Sequence, residues 1–266
     1  VRIPLFLYAV YALPAGWLLG RGSGLIAGAG VVITLTAAVA SLLAAVRRSR
    51  RPAIALHAVL VPVQFVLSVP SNVPLAGLLL SAAVLVAARP HFPQLRRSIR
   101  RLLLTIHVGT SVSWLGLATA MTALAVIGLV TGDAALRHAV YQIMHLFDLT
   151  IVIPVVALAI TSGLLVSLGT PWGLIRHWWV LNKFTLSVAI PMVAGVQHLW
   201  IADLIARGAA DPGAAPGGLG VRLLWCFLAY DVTLWTATAL SVHKPGGRTP
   251  WSRRPAPATG RIARPS

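Results

Sequence analysis

Apolar residues gather into eight runs, near residues 4–20, 24–46, 52–69, 72–88, 102–131, 139–168, 178–206 and 219–242, each bounded by Gly, Pro or Arg. About 20 apolar residues in helical form cross the roughly 30 Å hydrocarbon layer of a bilayer, and inside that layer only helices and closed barrels satisfy their own backbone. In a chain that is 58% hydrophobic and 10% charged, runs of this length close off a soluble fold. The expected architecture is all-α: a polytopic integral membrane protein of about eight transmembrane helices.

Charge then reads as topology. A net charge of +17 would ordinarily raise nucleic acid as a partner, but the basic residues do not line one helix face, so no nucleic-acid partner is expected. They cluster instead at Arg47, Arg48, Arg50 and Arg51, at Arg89, Arg96, Arg97, Arg100 and Arg101, at Arg176, and in a C-terminal stretch with Lys244, Arg248, Arg253, Arg254, Arg261 and Arg264. These clusters alternate with charge-poor loops, which places both termini in the cytoplasm by the positive-inside rule. Arg outnumbers Lys by 20 to 2, all five acids are Asp, and Ala, Gly and Pro are abundant. That usage suggests a high-GC bacterial genome, hence the bacterial cytoplasmic (inner) membrane, with the lipid bilayer as first partner and other membrane subunits or a redox partner as further ones. The opening residues Val1 and Arg2 run straight into PLFLYAVYALPAGWLLG, read as a retained span because no cleavage site follows. A single Cys226 excludes an intrachain disulfide and a Cys-rich metal site.

The runs divide the chain into a four-span N-terminal region (1–89), a basic cytoplasmic linker (90–101), a C-terminal four-helix membrane bundle (102–243) and a basic disordered tail (244–266). The first four runs hold few ionisable groups. Their main polar interruptions, His57 and Gln64, lie seven apart on one helix face and read as interhelical hydrogen-bonding groups. The connector GAADPGAAPGG lies on the outer side and is expected to be flexible.

Most ionisable residues inside apolar runs fall in the second half, where each costs several kcal/mol unless it is paired, coordinated or facing a cavity. A helical rise of about 1.5 Å per residue sorts them by depth. His107 is six residues past Arg101 and Lys183 seven past Arg176, both about 10 Å from the cytoplasmic edge. His145 is eight past Arg137, His198 nine before Arg207 and Asp231 nine past Arg222, all about 12–14 Å from the outer edge. Asp148 shares a helix face with His145. The expected sites are an inner pair, His107 and Lys183, and an outer cluster of His145, Asp148, His198 and Asp231.

Three further features accompany these sites. Gly109, Ser113, Gly116 and Ala120 form a strip of small residues beside His107, suited to close helix contact or to a flat macrocycle. Trp178 and Trp179 read as an interfacial aromatic belt. Pro154 and Pro191 each free a carbonyl and kink a helix, opening room in the bundle.

The order His107, Trp114, Gly116, then Arg137, Tyr141 and Ile143, then Pro154 and Gly163, then WWVLNKF with Lys183, then His198 resembles the HemJ-type membrane protoporphyrinogen oxidases and the related copper-resistance D membrane domain. It most closely resembles an uncharacterised family of predicted bacterial integral membrane proteins. The resemblance covers about 100 residues and implies a b-type haem held at the positions of His107 and Lys183. Two departures bear on it: Arg137 is followed by His138 where the HemJ-type family tends to show a second Arg, and His198 lies further beyond the lysine than that family's downstream histidine. Copper handling, implied by the second likeness, meets only Met121, Met144, Met192 and one Cys, too few soft ligands for a copper(I) relay.

The leading expectation is a haem-b membrane protein with a redox or electron-transfer role, a membrane oxidoreductase if it is an enzyme. Its inner site would use His107, with Lys183 as second ligand or propionate partner, and a second haem could lie between His145 and His198. The alternative is a transporter in which His145, Asp148, His198 and Asp231 bind a divalent metal or relay protons. A scaffold without cofactor is the third reading. No nucleophile paired with a base, phosphate loop or dinucleotide fingerprint is present.

Overall fold

The computed structural model describes residues 1–20, 25–67, 73–88, 94–170 and 172–252, and among these there is no strand. The helices are α1 (Arg2–Gly20), α2 (Leu25–Val46), α3 (Arg50–Leu67), α4 (Val73–Ala87), α5 (Arg97–Val130), α6 (Ala134–Phe147), α7 (Ile153–Leu168), α8 (Trp178–Ala210) and α9 (Gly217–His243). Among the described residues six helical stretches are long and apolar enough to cross a membrane: α1, α2, α5, α6 continued into α7, α8 and α9. The protein is thus a helical membrane protein. Helix α4 is apolar but shorter, and α3 carries Arg50, Arg51, His57, Pro62 and Gln64 within its 18 residues.

The distribution of side chains is that of a molecule solvated by lipid. Large apolar groups such as Leu13, Trp17, Val112, Val130, Trp225, Val232 and Trp235 point outward, whereas Ala12, Ala15, Ala37, Ala38, Ala45 and Ala53 are buried. Burial of apolar surface gives little drive where the solvent is itself apolar, so small residues that let backbones approach do the packing. In the first half α1 packs on α2 and α4, and α3 on α4 and α2. In the second, α5 packs on α6, α7 and α9, and α8 on α6 and α9; α3 and α4 join the two halves through α7. One apolar core runs through both halves, from Phe65 and Leu78 to Trp114, Met121 and Ile160.

His57 and Gln64 behave as the sequence led us to expect. The His57 ring lies between the Ser41 hydroxyl (3.2 Å from Nε2) and the Ser81 hydroxyl (3.1 Å from Nδ1). Ser81 donates to Gln64 Oε1 at 3.1 Å, and Gln64 Nε2 donates to the Tyr8 hydroxyl at 2.6 Å. This buried chain ties all four N-terminal helices together.

Three expectations need correction. Helix α5 begins at Arg97, inside the stretch expected as linker. Its 34 residues span about 50 Å, so its basic first turns project beyond the apolar layer rather than forming a loop. The run 139–168 is not one α-helix. Pro154 lacks the N–H that would bond the carbonyl of Thr150, and a π turn at Asp148–Val152, with Ile153 N–H donating to the Asp148 carbonyl, separates α6 from α7. Finally, residues 244–252 are not a free tail. Lys244 takes a left-handed conformation that ends α9, and the chain folds back so that Trp178 N–H donates to the Gly247 carbonyl at 3.3 Å and Thr249 N–H to the Arg176 carbonyl at 3.0 Å. The Thr249 and Ser252 hydroxyls donate to the carbonyls of Ile175 and Arg176 at 2.7 and 3.0 Å. Arg89 and residues 253–266 lie outside the described residues.

Candidate functional site

Helices α5, α7 and α8 assemble the inner site. His107 Nδ1–H donates to the Ala159 carbonyl at 3.0 Å, which fixes the tautomer and leaves Nε2 with a lone pair. Lys183 Nζ stands 3.3 Å from that Nε2. Gly163 makes the arrangement possible: a Cβ there would lie 2.7 Å from His107 Cε1, so any side chain would expel the imidazole. The depth count brought His107 and Lys183 together, and the structure pairs them directly.

Two cavities adjoin at this pair, of about 210 and about 280 Å³, and both include His107, Ala159, Lys183 and Ser187 in their walls. The first extends along α9 past Leu234 and Thr238, and the second toward Trp172, Leu174 and Trp179. Pro191 leaves the Ser187 carbonyl without its helical donor, as the proline in α8 predicts. Trp179, expected in an interfacial belt, lines the second cavity and is half-buried, edge-on to Trp172 at 5.6 Å. The folded-back segment adds Lys244, whose Nζ sits 5.2 Å above the Trp172 ring. The strip of Gly109, Ser113, Gly116 and Ala120 does not face these cavities. Ser113 and Ala120 are exposed, and neither Gly109 nor Gly116 has a neighbour within 4 Å of where a Cβ would stand.

The fit of a haem to this site can be tested on the geometry. His107 suits a haem ligand in that Nδ1 is anchored on a backbone carbonyl and Gly163 clears space beside the ring, and Nε2 would exchange its contact with Lys183 Nζ for the iron. Lys183 does not suit the opposite ligand. Two nitrogens with metal bonds of about 2 Å stand about 4 Å apart across a metal, whereas Lys183 Nζ and His107 Nε2 are in hydrogen-bond contact at 3.3 Å. A cation beside the cavity suits a propionate instead.

The outer cluster assembles in part. His198 Nδ1 lies 3.0 Å from Asp148 Oδ2, and Asp148 is buried at the start of the π turn. The rings of His145 and His198 stack with centroids 4.7 Å apart and planes 28° from parallel. Stacked rings cannot both aim a nitrogen at an iron between them, so this pair is not arranged to hold a second haem. Asp231 stands apart, accepting from the Thr122 hydroxyl at 2.7 Å and the Thr119 hydroxyl at 3.0 Å, both on α5. Equal depth brought it to the right level on the wrong face. Among the described residues no three His, Cys, Asp or Glu side chains converge as a metal site.

Sequence reading missed Gln197 and Tyr230. Both line a third cavity, with Asp148, His198 and Trp114 among its other walls. The available signal was adjacency: each polar residue sits one position before an ionisable residue already singled out, His198 and Asp231. At the outer end Arg137 donates to the carbonyls of Thr131 (2.5 Å) and Ala214 (3.3 Å), tying the α5–α6 and α8–α9 connections together. Tyr141 packs against Gly128, where a Cβ would lie 2.9 Å from its ring.

No family model matches this chain, and no match was found to a curated protein or to a solved structure.

Proposed function

We propose that this protein is a haem-b-binding membrane protein with a redox or electron-transfer role, holding a haem at His107. The observation that carries the reading is the oriented imidazole of His107, anchored through Nδ1 on Ala159 and bordering two adjoining apolar cavities, with Lys183 Nζ as the present partner of Nε2. His107 would ligate and orient the group, Gly163 would keep the ring seated, and Lys183 would pair with a propionate. The bound haem would supply one-electron chemistry, its potential tuned by burial and by the histidine's hydrogen bond. Helices α3 and α4 complete eight spans in this reading, α5 to α9 form a four-helix bundle in which α6 and α7 make a single span, and both termini face the bacterial cytoplasm.

The test is an absorption spectrum with a pyridine haemochrome assay on protein purified from a haem-competent host. A b-type spectrum is expected from the wild type and its loss from His107→Ala. A haem-free wild type overturns the proposal.

A further inference from the structure

A third cavity, of about 70 Å³, lies between α5, the π turn, α8 and α9, and Phe65 of α3 closes one side. A water-sized group needs about 10–15 Å³ by this measure, so the space suits a single ring and is too small for a haem. Its walls are apolar apart from Asp148, Gln197, His198 and Tyr230. Gln197 is 1% exposed and its Nε2 has no hydrogen-bond partner; Tyr230 is 8% exposed and its hydroxyl has none beyond the weak Cys226 thiol beside it. A buried donor left unpaired costs about 1–3 kcal/mol, and two lining one small cavity point to an acceptor-bearing occupant. The His198–Asp148 pair adds a third polar feature at the same wall.

We infer that this cavity binds the head of a lipid-soluble molecule consisting of one ring with carbonyl oxygens, the chemistry of a quinone. Gln197 Nε2 and the Tyr230 hydroxyl donate to the carbonyl oxygens, and the apolar walls hold the ring. Nothing in this cavity requires a haem at His107, and of the residues named around the two sites only Trp114 borders both.

The probe is a short-chain benzoquinone titrated into purified full-length protein in lipid nanodiscs, followed by tryptophan quenching and by thermal melting. Saturable quenching and a raised melting temperature are expected for the wild type. Gln197→Leu and Tyr230→Phe should each weaken binding about tenfold, the worth of one buried hydrogen bond. Neither should lower the melting temperature of the ligand-free protein, because each removes an unpaired donor. No saturable binding would mean that the cavity holds only water, and overturns the inference. So does unchanged affinity in both variants, or a ligand-free melting temperature that falls with affinity unaltered, since either makes these side chains structural.

Discussion

Gly163 and Asp231 show at the level of single residues how one side chain sets what its neighbour can do. The His107 ring occupies the space a Cβ would take at Gly163, so Gly163→Ala should cost about 1–3 kcal/mol as an overpacked contact. It should also displace Nδ1 from the Ala159 carbonyl, read as a lower melting temperature together with a weakened haem spectrum. Asp231 belongs to a different job: it joins α9 to α5 through Thr119 and Thr122. Thr122→Val should therefore cost about 1–2 kcal/mol, the worth of a half-buried hydrogen bond to a carboxylate, and leave the absorption spectrum unchanged. A spectral shift in that variant would place Asp231 in the site after all. His107, Lys183, Asp148 and His198 were legible in the sequence because ionisable groups inside apolar runs are conspicuous and helical rise gives their depth. Azimuth was not legible, since depth says nothing about which face of α9 carries Asp231. Gln197 and Tyr230 were missed for a related reason: a neutral polar residue beside a charged one draws no separate notice.

Among the elements, the π turn is the feature with most leverage. It inserts one extra residue between α6 and α7, and Asp148 at its start reaches His198 on α8 while Ala159, Ser162 and Gly163 further along meet His107 on α5. Deleting Thr150 would remove the residue that the wide turn absorbs and return the segment to ordinary helix, changing the local backbone that aims the Asp148 side chain. We expect the His198–Asp148 hydrogen bond to be lost, destabilising the protein by about 1–3 kcal/mol, measured as a fall in melting temperature; Asp148→Asn, which keeps an acceptor for His198 Nδ1, should lower it less. Pro154 announced an interruption, but a proline alone does not say whether a helix will kink, break or bulge. The folded-back segment was hidden differently. Its Pro, Gly and Arg content matched that of a disordered tail, whereas the backbone donors and acceptors of 175–178, displayed before α8, captured Gly247, Thr249 and Ser252. Truncation after His243 should open the inner cavity, detected as faster modification of Lys183 by an amine-reactive probe.

The whole molecule couples halves that the sequence presented as separate regions. Span-forming runs and their order were readable because apolar length is a direct physical requirement of the bilayer; the pairing of helices was not, because lipid-facing and helix-facing residues are equally apolar. Phe65 illustrates the coupling: it sits in the N-terminal half, yet it belongs to the shared core and walls the cavity of Gln197 and Tyr230. Phe65→Ala should cost about 3–5 kcal/mol through the void it leaves, and should weaken benzoquinone binding by a pocket built mainly from the other half. The cavity beside His107 has a different relation to its surroundings. Val108, Val112 and Val242 are at once part of its wall and part of the exposed outer surface, at 58%, 66% and 70%. It therefore opens sideways, between α5 and α9, onto the apolar outer surface. A molecule entering from that side would be one dissolved in the membrane, and a detergent tail would compete for the same entrance. The choice of solubilising agent is thus a chemical variable in any measurement made on this site.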